Sequence, residues 1–127
     1  MTARVEQLWP LFPVREMRAS LQFYCESLDF EVVGSAESEG SVYWCRIERG
    51  GACLMLQQVG PDSGIIRSSD EFYFVCDDAD LLYEELRGKG LELEPPSVAY
   101  YGMKQLFVPE PDGRAIVFES RTEDWVG

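Results

Sequence analysis

The feature that most constrains the fold is an internal repeat. The stretch LFVPEPDGRAIVFES at 106–120 consists of two apolar runs around a turn, and RGGACLMLQQ at 49–58 has nearly the same layout. A shift of 62 positions maps Met55 onto Val117 and Trp9 onto Glu71. Both hairpins and both opening strands are therefore predicted to superimpose without a gap. A doubled unit of this size predicts two half-sheets that pack as pseudo-twofold partners.

Each repeat is predicted to run β-α-β-β-β. Alternating apolar residues predict strands, and apolar residues at helical spacing predict one helix in each repeat. Asp78 is the expected N-cap of the second helix. The predicted strands cover 7–14, 30–36, 41–48 and 52–59, and then 71–76, 91–96, 104–110 and 114–120. The predicted helices lie within 15–30, over about ten residues, and within 77–90.

These elements predict a single α+β domain over residues 1–127. It is built from two βαβββ repeats, at about 5–60 and about 68–122, joined by a loop around 60–70. The length and the hydrophobic content of 46% are sufficient for one core.

Period two gives each strand one face under a helix and one face that points away from it. In the strand at 52–59, Leu54 and Leu56 are predicted to pack under the helix. The opposite faces of the strands carry large aromatic and aliphatic residues and few charges. Such a surface is either the lining of a small-molecule site or a second core layer between the half-sheets, and the pattern leaves both interpretations open. This surface is predicted to contain Trp9, Trp44, Met55, Tyr73 and Val117.

Charge and histidine content restrict the function. The chain has 23 acidic and 11 basic residues and a net charge of −12, which disfavours nucleic acid and anionic membranes and favours cationic ligands. It has no histidine, so an imidazole base, proton shuttle or metal ligand is excluded for the chain acting alone. No apolar run approaches the roughly 20 residues of a membrane span, and the N-terminus lacks signal-peptide features, so a cytoplasmic protein is expected.

The four cysteines are predicted to be free thiols, because each lies singly within an apolar run. Cys45 and Cys53 flank the Gly50–Gly51 turn. Cys53 would lie opposite Glu48 in a two-residue hairpin and opposite Arg46 with a four-residue loop, so Cys45 and Cys53 are not expected to form a disulfide.

Three stretches together resemble the vicinal oxygen chelate superfamily, also known as the glyoxalase, bleomycin resistance and extradiol dioxygenase group. They are FPVREMRASLQFYCESLDFEVV, FVCDDADLLYEELRGKGLEL and VPEPDGRAIVFES, within about residues 7–120. Asp29 stands where the family commonly has glycine, and aspartate tolerates the left-handed conformation better than most residues. The resemblance implies two βαβββ modules that form a curved mixed sheet around a cleft, often in a dimer.

The resemblance also implies where a metal would bind. Enzymes of this family hold a divalent ion with side chains that correspond to Trp9, Met55, Glu71 and Val117 in this sequence. Only Glu71 is a suitable ligand, and a single carboxylate does not make a preformed divalent site. No metal, cofactor or catalytic residue is therefore expected. Glu71 is expected to pair either with a cationic ligand or with Arg46.

The favoured hypothesis is a metal-independent binding protein similar to bleomycin resistance proteins, which sequesters an aromatic antibiotic-like ligand, with a cationic one favoured. The segment PSVAYYGMKQLFVPEPDG resembles that branch and places Tyr101 in the groove. Two alternatives stay open: a metal-dependent lyase, isomerase or dioxygenase of the family, and a dimeric interaction module without a small ligand. A homodimer is expected in each case, whether the modules pair within one chain or between swapped chains. The predicted ligand-binding residues are Trp9, Trp44, Met55, Glu71, Tyr73 and Tyr101.

Overall fold

The structure is a computed structural model that describes residues 1–60, 62–63 and 69–127. The chain divides into two compact units, Met1–Ser63 and Gly64–Gly127, and each contains one four-stranded mixed sheet. The loop predicted around 60–70 lies in part outside the described residues. Within the described residues no helix is long and apolar enough to cross a membrane. The α+β class with two sheet modules is confirmed, whereas the organisation as a single domain stays a prediction.

The first unit has the predicted element order. Its strand order is β1-β4-β3-β2, with β1 parallel to β4 and the other neighbours antiparallel. The opening strand is shorter than predicted, because regular pairing starts at Leu11 and Trp9 precedes it. Helix α1 continues directly into a π-helical segment. The elements are β1 (Leu11–Val14), α1 (Met17–Leu21), the π-helical segment (Gln22–Ser27), β2 (Glu31–Ser38), β3 (Ser41–Arg49) and β4 (Ala52–Gln58).

Local residues explain where the first helix begins and ends. The Glu16 carboxylate caps it by accepting hydrogen bonds from the backbone N–H groups of Arg18 (3.1 Å) and Ala19 (2.8 Å). After the π-helical segment, Asp29 adopts a φ of 57°. Asp29 thus adopts the left-handed conformation that was expected at this position, where the family commonly has glycine.

The second unit has strand order β5-β8-β7-β6, again with the opening strand parallel to the closing strand. Asp78 is the N-cap of its helix, as predicted, because its side chain accepts a hydrogen bond from the Leu81 N–H at 3.0 Å. The elements are β5 (Glu71–Val75), α2 (Ala79–Gly88), β6 (Ser97–Val98), β7 (Met103–Val108) and β8 (Ala115–Arg121).

The prediction of a strand at 91–96 is wrong. These residues have no regular structure, and the only pairing nearby is the short strand β6. The Leu91 N–H bonds back to the Leu86 carbonyl at 3.1 Å and so belongs to the helix terminus. Pro95 and Pro96 have no N–H to donate to a strand ladder. The segment therefore lies beside the sheet as an irregular chain.

The repeat is exact for the opening and closing strands but not for the third strand. Leu11 pairs with Met55, and Tyr73 pairs with Val117, so both residues of the pair shift by 62. In the hairpins, however, Arg46 lies opposite Met55 whereas Phe107 lies opposite Val117. Arg46 and Phe107 are 61 positions apart, so the prediction that the hairpins superimpose without a gap is wrong by one residue.

The predicted faces of the strands are confirmed for the buried side. Leu54 and Leu56 are buried, as are Phe12 and Val14 of the opening strand. In strand β8, Val117 on the opposite face is also buried and only 2% exposed, which both interpretations of that face allow. Closing strands can thus be covered on both faces, which alternation alone does not reveal.

The cysteine predictions agree with the structure. Cys53 lies opposite Glu48 across the two-residue Gly50–Gly51 turn, and all four cysteines are free thiols.

Candidate functional site

The first unit brings three of the six predicted ligand-binding residues onto one side of its sheet. Arg46 lies opposite Met55, and its guanidinium carbon is 4.5 Å from the ring centroid of Trp9. Trp44 is two residues before Arg46 on the same strand, so period two gives it the same face. The Met55 N–H donates to the Pro10 carbonyl at 2.8 Å, which fixes the chain next to Trp9.

The contacts of Arg46 bear on the predicted ion pair between Arg46 and Glu71. Besides the Trp9 ring, its Nη1 contacts Glu48 Oε2 at 4.0 Å and Cys53 Sγ at 3.5 Å. These partners all belong to the first unit, whereas Glu71 belongs to the second. The ion pair between Arg46 and Glu71 stays a prediction.

The second unit contains the other three predicted residues. Glu71 and Tyr73 alternate along β5 and share one face, and the Tyr73 hydroxyl donates to Glu71 Oε2 at 3.4 Å. Tyr73 is half-exposed beside Val117 of the neighbouring strand. Burial in its surroundings, followed by the negative charge of Glu71, raises the pKa of Tyr73.

Tyr101 is positioned by a turn that requires glycine at the next residue. Gly102 has a φ of 90°, and a Cβ there would lie 2.4 Å from backbone atoms of Asp124 and Trp125. The Gly102 N–H donates to Ala99 O at 2.9 Å, and its carbonyl accepts from the Thr122 N–H at 3.0 Å. The C-terminal segment and the turn thereby hold each other, and Tyr101 with them.

Glu119 of β8 connects these side chains. It is 7% exposed, and its Oε1 accepts hydrogen bonds from the Tyr101 hydroxyl and from Gln105 Nε2, each at 3.0 Å. Gln105 also donates to the Tyr101 oxygen at 2.7 Å, which closes a triangle of three side chains. Burial and then the hydrogen bond to Glu119 raise the pKa of Tyr101, and the Glu119 charge also contributes to the raised pKa of Tyr73.

A cavity of about 800 Å³ opens on this unit. Its volume is that of a small-molecule site. The apolar lining includes Leu93, Phe107 and Val117, and the carboxylates are Glu71, Glu92 and Glu94.

Arg114 is the basic residue of this lining, and its charge is compensated. Its Nη1 lies 2.5 Å from Glu110 Oε2, and both side chains are buried. The three carboxylates of the lining therefore give the cavity a net negative charge.

Two residues of this site were missed by the sequence analysis. Phe107 lies on the Val117 face because of the one-residue register change in β7, which no repeat of 62 would reveal. The presence of Pro109 and Pro111 beside the turn was a signal that this hairpin differs from the Gly50–Gly51 hairpin. Glu119 lies two residues after Val117 and so shares its face, but the sequence analysis gave it no role. Glu119 is 18 residues after Tyr101 in the sequence, and no local pattern predicts the hydrogen bond between them.

The residues at the metal positions of the family do not fit a divalent ion. Val117 and Trp9 have no suitable donor, and the Glu71 carboxylate is exposed beside Tyr73. Within the described ranges 1–60, 62–63 and 69–127, no three His, Cys, Asp or Glu side chains form a group that could hold a metal.

Three of the four cysteines are not activated nucleophiles. Burial raises the pKa of Cys25, Cys45 and Cys76, and for Cys45 the value is about 11. A protonated, buried thiol reacts poorly.

Comparisons with solved structures agree with this fold. TnmS3, an antibiotic binding protein from Streptomyces sp. CB03234, is 20% identical with a TM-score of 0.70, over 94% of this chain and 100% of TnmS3. A bleomycin resistance determinant encoded on the transposon Tn5 is 21% identical with a TM-score of 0.73, over 92% of this chain and 98% of that one. A bleomycin-binding protein in complex with bleomycin is 21% identical with a TM-score of 0.73, over 93% of this chain and 100% of that one. At these identities the likeness shows the fold.

No curated protein sequence matches the chain. A family model, in contrast, matches residues 7–118, which is most of its length. The chain belongs to the glyoxalase/bleomycin resistance protein/dioxygenase superfamily.

Proposed function

We propose that this protein binds and sequesters an aromatic, positively charged antibiotic-like molecule, without a metal and without changing the ligand chemically. The observation that carries the proposal is the cavity of about 800 Å³ in the second unit, which combines Phe107 with three carboxylates. Apolar walls remove ligand surface from water, and the carboxylates favour a cation. Trp9, Trp44 and Met55 of the first unit remain proposed ligand-binding residues.

Solved structures of this fold include an antibiotic binding protein, a bleomycin resistance determinant and a bleomycin-binding protein in complex with bleomycin. Bleomycin is therefore the first probe. We expect isothermal titration calorimetry to detect its binding in buffer with EDTA, and mass spectrometry to recover it unmodified. Affinity is expected to fall as salt rises from 50 to 500 mM, because salt screens exposed carboxylates.

Two variants locate the ligand. Phe107→Ala removes the apolar wall and is expected to weaken binding about tenfold, which corresponds to about 1.4 kcal/mol. The double change Glu92→Gln and Glu94→Gln is expected to weaken binding several-fold and to reduce the salt dependence. Glu37→Gln, an exposed carboxylate on β2, is the matched control and is expected to bind as the parent does.

Three results would contradict the proposal. Absence of binding heat with bleomycin would exclude that ligand. Turnover of the ligand, or binding that requires added Ni²⁺, Zn²⁺ or Fe²⁺, would favour the metal-dependent enzyme. Unchanged affinity in Phe107→Ala would place the ligand elsewhere.

The assembly and location of the protein are also proposals. We propose a homodimer, which sedimentation velocity tests through the mass of the species in solution, and a cytoplasmic location, which cell fractionation tests.

A further inference from the structure

We propose that Glu119, together with the rings of Tyr73 and Tyr101, forms a subsite for an ammonium group, separate from the carboxylates that line the cavity. The inference rests on the proposed function, which it deepens by naming the chemistry of one part of the ligand. It is carried by the hydrogen-bonded triangle of Glu119, Tyr101 and Gln105 and by the position of Tyr73 on the same face.

Strand register places the ring of Tyr73 on the same face as Glu119. Val75 lies opposite Glu119 in the β5–β8 pair, and Tyr73 is two residues before Val75 on the same strand. Because residues two apart on a strand share a face, Tyr73 is the diagonal neighbour of Glu119. Gln105 lies directly opposite Glu119 on the other side, in β7. A carboxylate thus lies on this face between an exposed ring and a hydrogen-bond donor.

The geometry of Glu119 leaves part of the carboxylate available. The hydrogen bonds from Tyr101 and Gln105 both go to Oε1, and within the described residues Oε2 accepts none. Glu119 Oε2 is not fully enclosed by protein atoms, so it borders open space. A largely buried anion with one open oxygen attracts a cation more strongly than an exposed carboxylate does, because solvent screens it less.

The rings supply the second half of the recognition. A cation is attracted to the face of a tyrosine ring, and the attraction increases when water is excluded. Tyr101 is held by its hydroxyl and by the Gly102 turn, so little side-chain entropy would be lost on binding. An ammonium group suits this arrangement better than a guanidinium because Glu119 offers a single oxygen rather than a bidentate pair.

The test uses two probes that differ only in charge. They are 3-hydroxyphenyltrimethylammonium and its uncharged isostere 3-tert-butylphenol. Titrations of the ¹⁵N-labelled full chain, followed by amide chemical shifts, give the dissociation constant of each probe and the position of its site. We expect the cation to bind about tenfold more tightly than the isostere, with the largest shifts at Tyr73, Tyr101 and Glu119.

Glu119→Gln is the critical variant. Glutamine keeps an oxygen that can accept from Tyr101 and Gln105, so the triangle is retained while its charge is removed. We expect the preference for the cation to fall to less than about twofold, with the affinity for 3-tert-butylphenol unchanged. The control Glu37→Gln removes the same charge from the first unit and is expected to keep the tenfold preference.

A second variant keeps the test valid if Glu119→Gln does not fold. Tyr73 is half-exposed, so Tyr73→Leu is expected to fold. It should lower the affinity for the cation several-fold and leave the affinity for the isostere within about twofold.

Other outcomes overturn the subsite. They are a preference that survives Glu119→Gln but disappears in Glu92→Gln/Glu94→Gln, and a preference that falls equally in Glu37→Gln. If bleomycin binds but neither probe does, the subsite is wrong while the proposed function stands. If bleomycin fails to bind but the cation binds at Glu119, the subsite stands and the proposed ligand is wrong.

Discussion

The ion pair between Arg114 and Glu110 is expected to be a major determinant of the stability of the second unit. Arg114 Nη1 lies 2.5 Å from Glu110 Oε2, and the two side chains are 8% and 0% exposed. Glu110 Oε1 also accepts from the Asp112 N–H at 2.6 Å, and its carbonyl accepts from the Gly113 N–H at 2.8 Å. The pair therefore holds together the β7–β8 connection, on which the positions of Phe107 and Val117 depend.

The perturbation is Arg114→Met, which keeps much of the side-chain volume and removes the charge. Removing one partner of a buried pair costs about 3–5 kcal/mol, because the other charge stays buried without its ion-pair partner. Total stabilities of domains are about 5–15 kcal/mol, so this is a large fraction. With a urea m-value of about 2 kcal/mol/M, the unfolding midpoint should fall by about 2 M.

The assay is equilibrium urea unfolding, followed by circular dichroism at pH 7. The matched control is Arg87→Met on α2, where Arg87 Nη1 lies 3.9 Å from Glu84 Oε1 and both side chains are exposed. Exposed pairs of this kind contribute about 0.5 kcal/mol or less. The arginine-to-methionine change is thus the same in the two variants, and burial is the difference between them.

A double variant separates charge from packing. Glu110→Gln combined with Arg114→Met removes both charges of the pair, while the glutamine oxygen can still accept from the Asp112 N–H. We expect it to be about 2 kcal/mol more stable than Arg114→Met alone. The reasoning would be refuted if Arg114→Met cost less than about 1 kcal/mol, or if the double variant were no more stable than the single one.

Two further predictions concern the Tyr101 turn and the Cys45 thiol. Gly102→Ala is expected to lower the free energy of unfolding by about 2 kcal/mol or more, because the residue has positive φ and its Cβ would meet the backbone of the C-terminal segment. The control is Gly88→Ala, which has open space around it and should be neutral or slightly stabilising in the same thermal unfolding assay. Equal melting temperatures of the two variants would contradict this account. Burial raises the pKa of Cys45 to about 11 from an ordinary 9.0, so between these pH values the unfolded state loses a proton that the folded state keeps. The free energy of unfolding should therefore fall as pH rises from 9 to 11, and Cys45→Ala should weaken that fall; an unchanged pH dependence in the variant would argue against it.

Much of the fold was predictable because its signals are local or periodic. The apolar alternation in β1 and β4 determines which side chains are buried, and a slip of one residue would expose the whole set. The Gly50–Gly51 turn fixes the β3–β4 register, and Asp78 marks the start of α2 through its capping oxygen. For the same reasons the parallel pairs of Tyr73 with Val117 and of Leu11 with Met55 follow the repeat.

The candidate site was less predictable, because its members are brought together by distant pairings. The sequence identified Tyr73, Tyr101 and Glu71, which are aromatic or acidic residues at family positions, and their roles stay predictions. It did not identify Glu119 as a partner of Tyr101, since the two are joined by the turn at Gly102 and by the pairing of β7 with β8. Neither interaction leaves a periodic pattern in the chain.

The sequence by itself determined the doubled βαβββ order, the buried faces and the absence of histidine chemistry, because these depend on composition and on the spacing of neighbouring residues. Only the tertiary structure decided the register of β7 and the irregular course of residues 91–96. Those two features place Phe107 and the carboxylates of Glu92 and Glu94 around one cavity. The physical reason is that strand pairing is selected by the sum of long-range hydrogen bonds and packing, and alternation alone does not distinguish registers when both faces of a strand are covered.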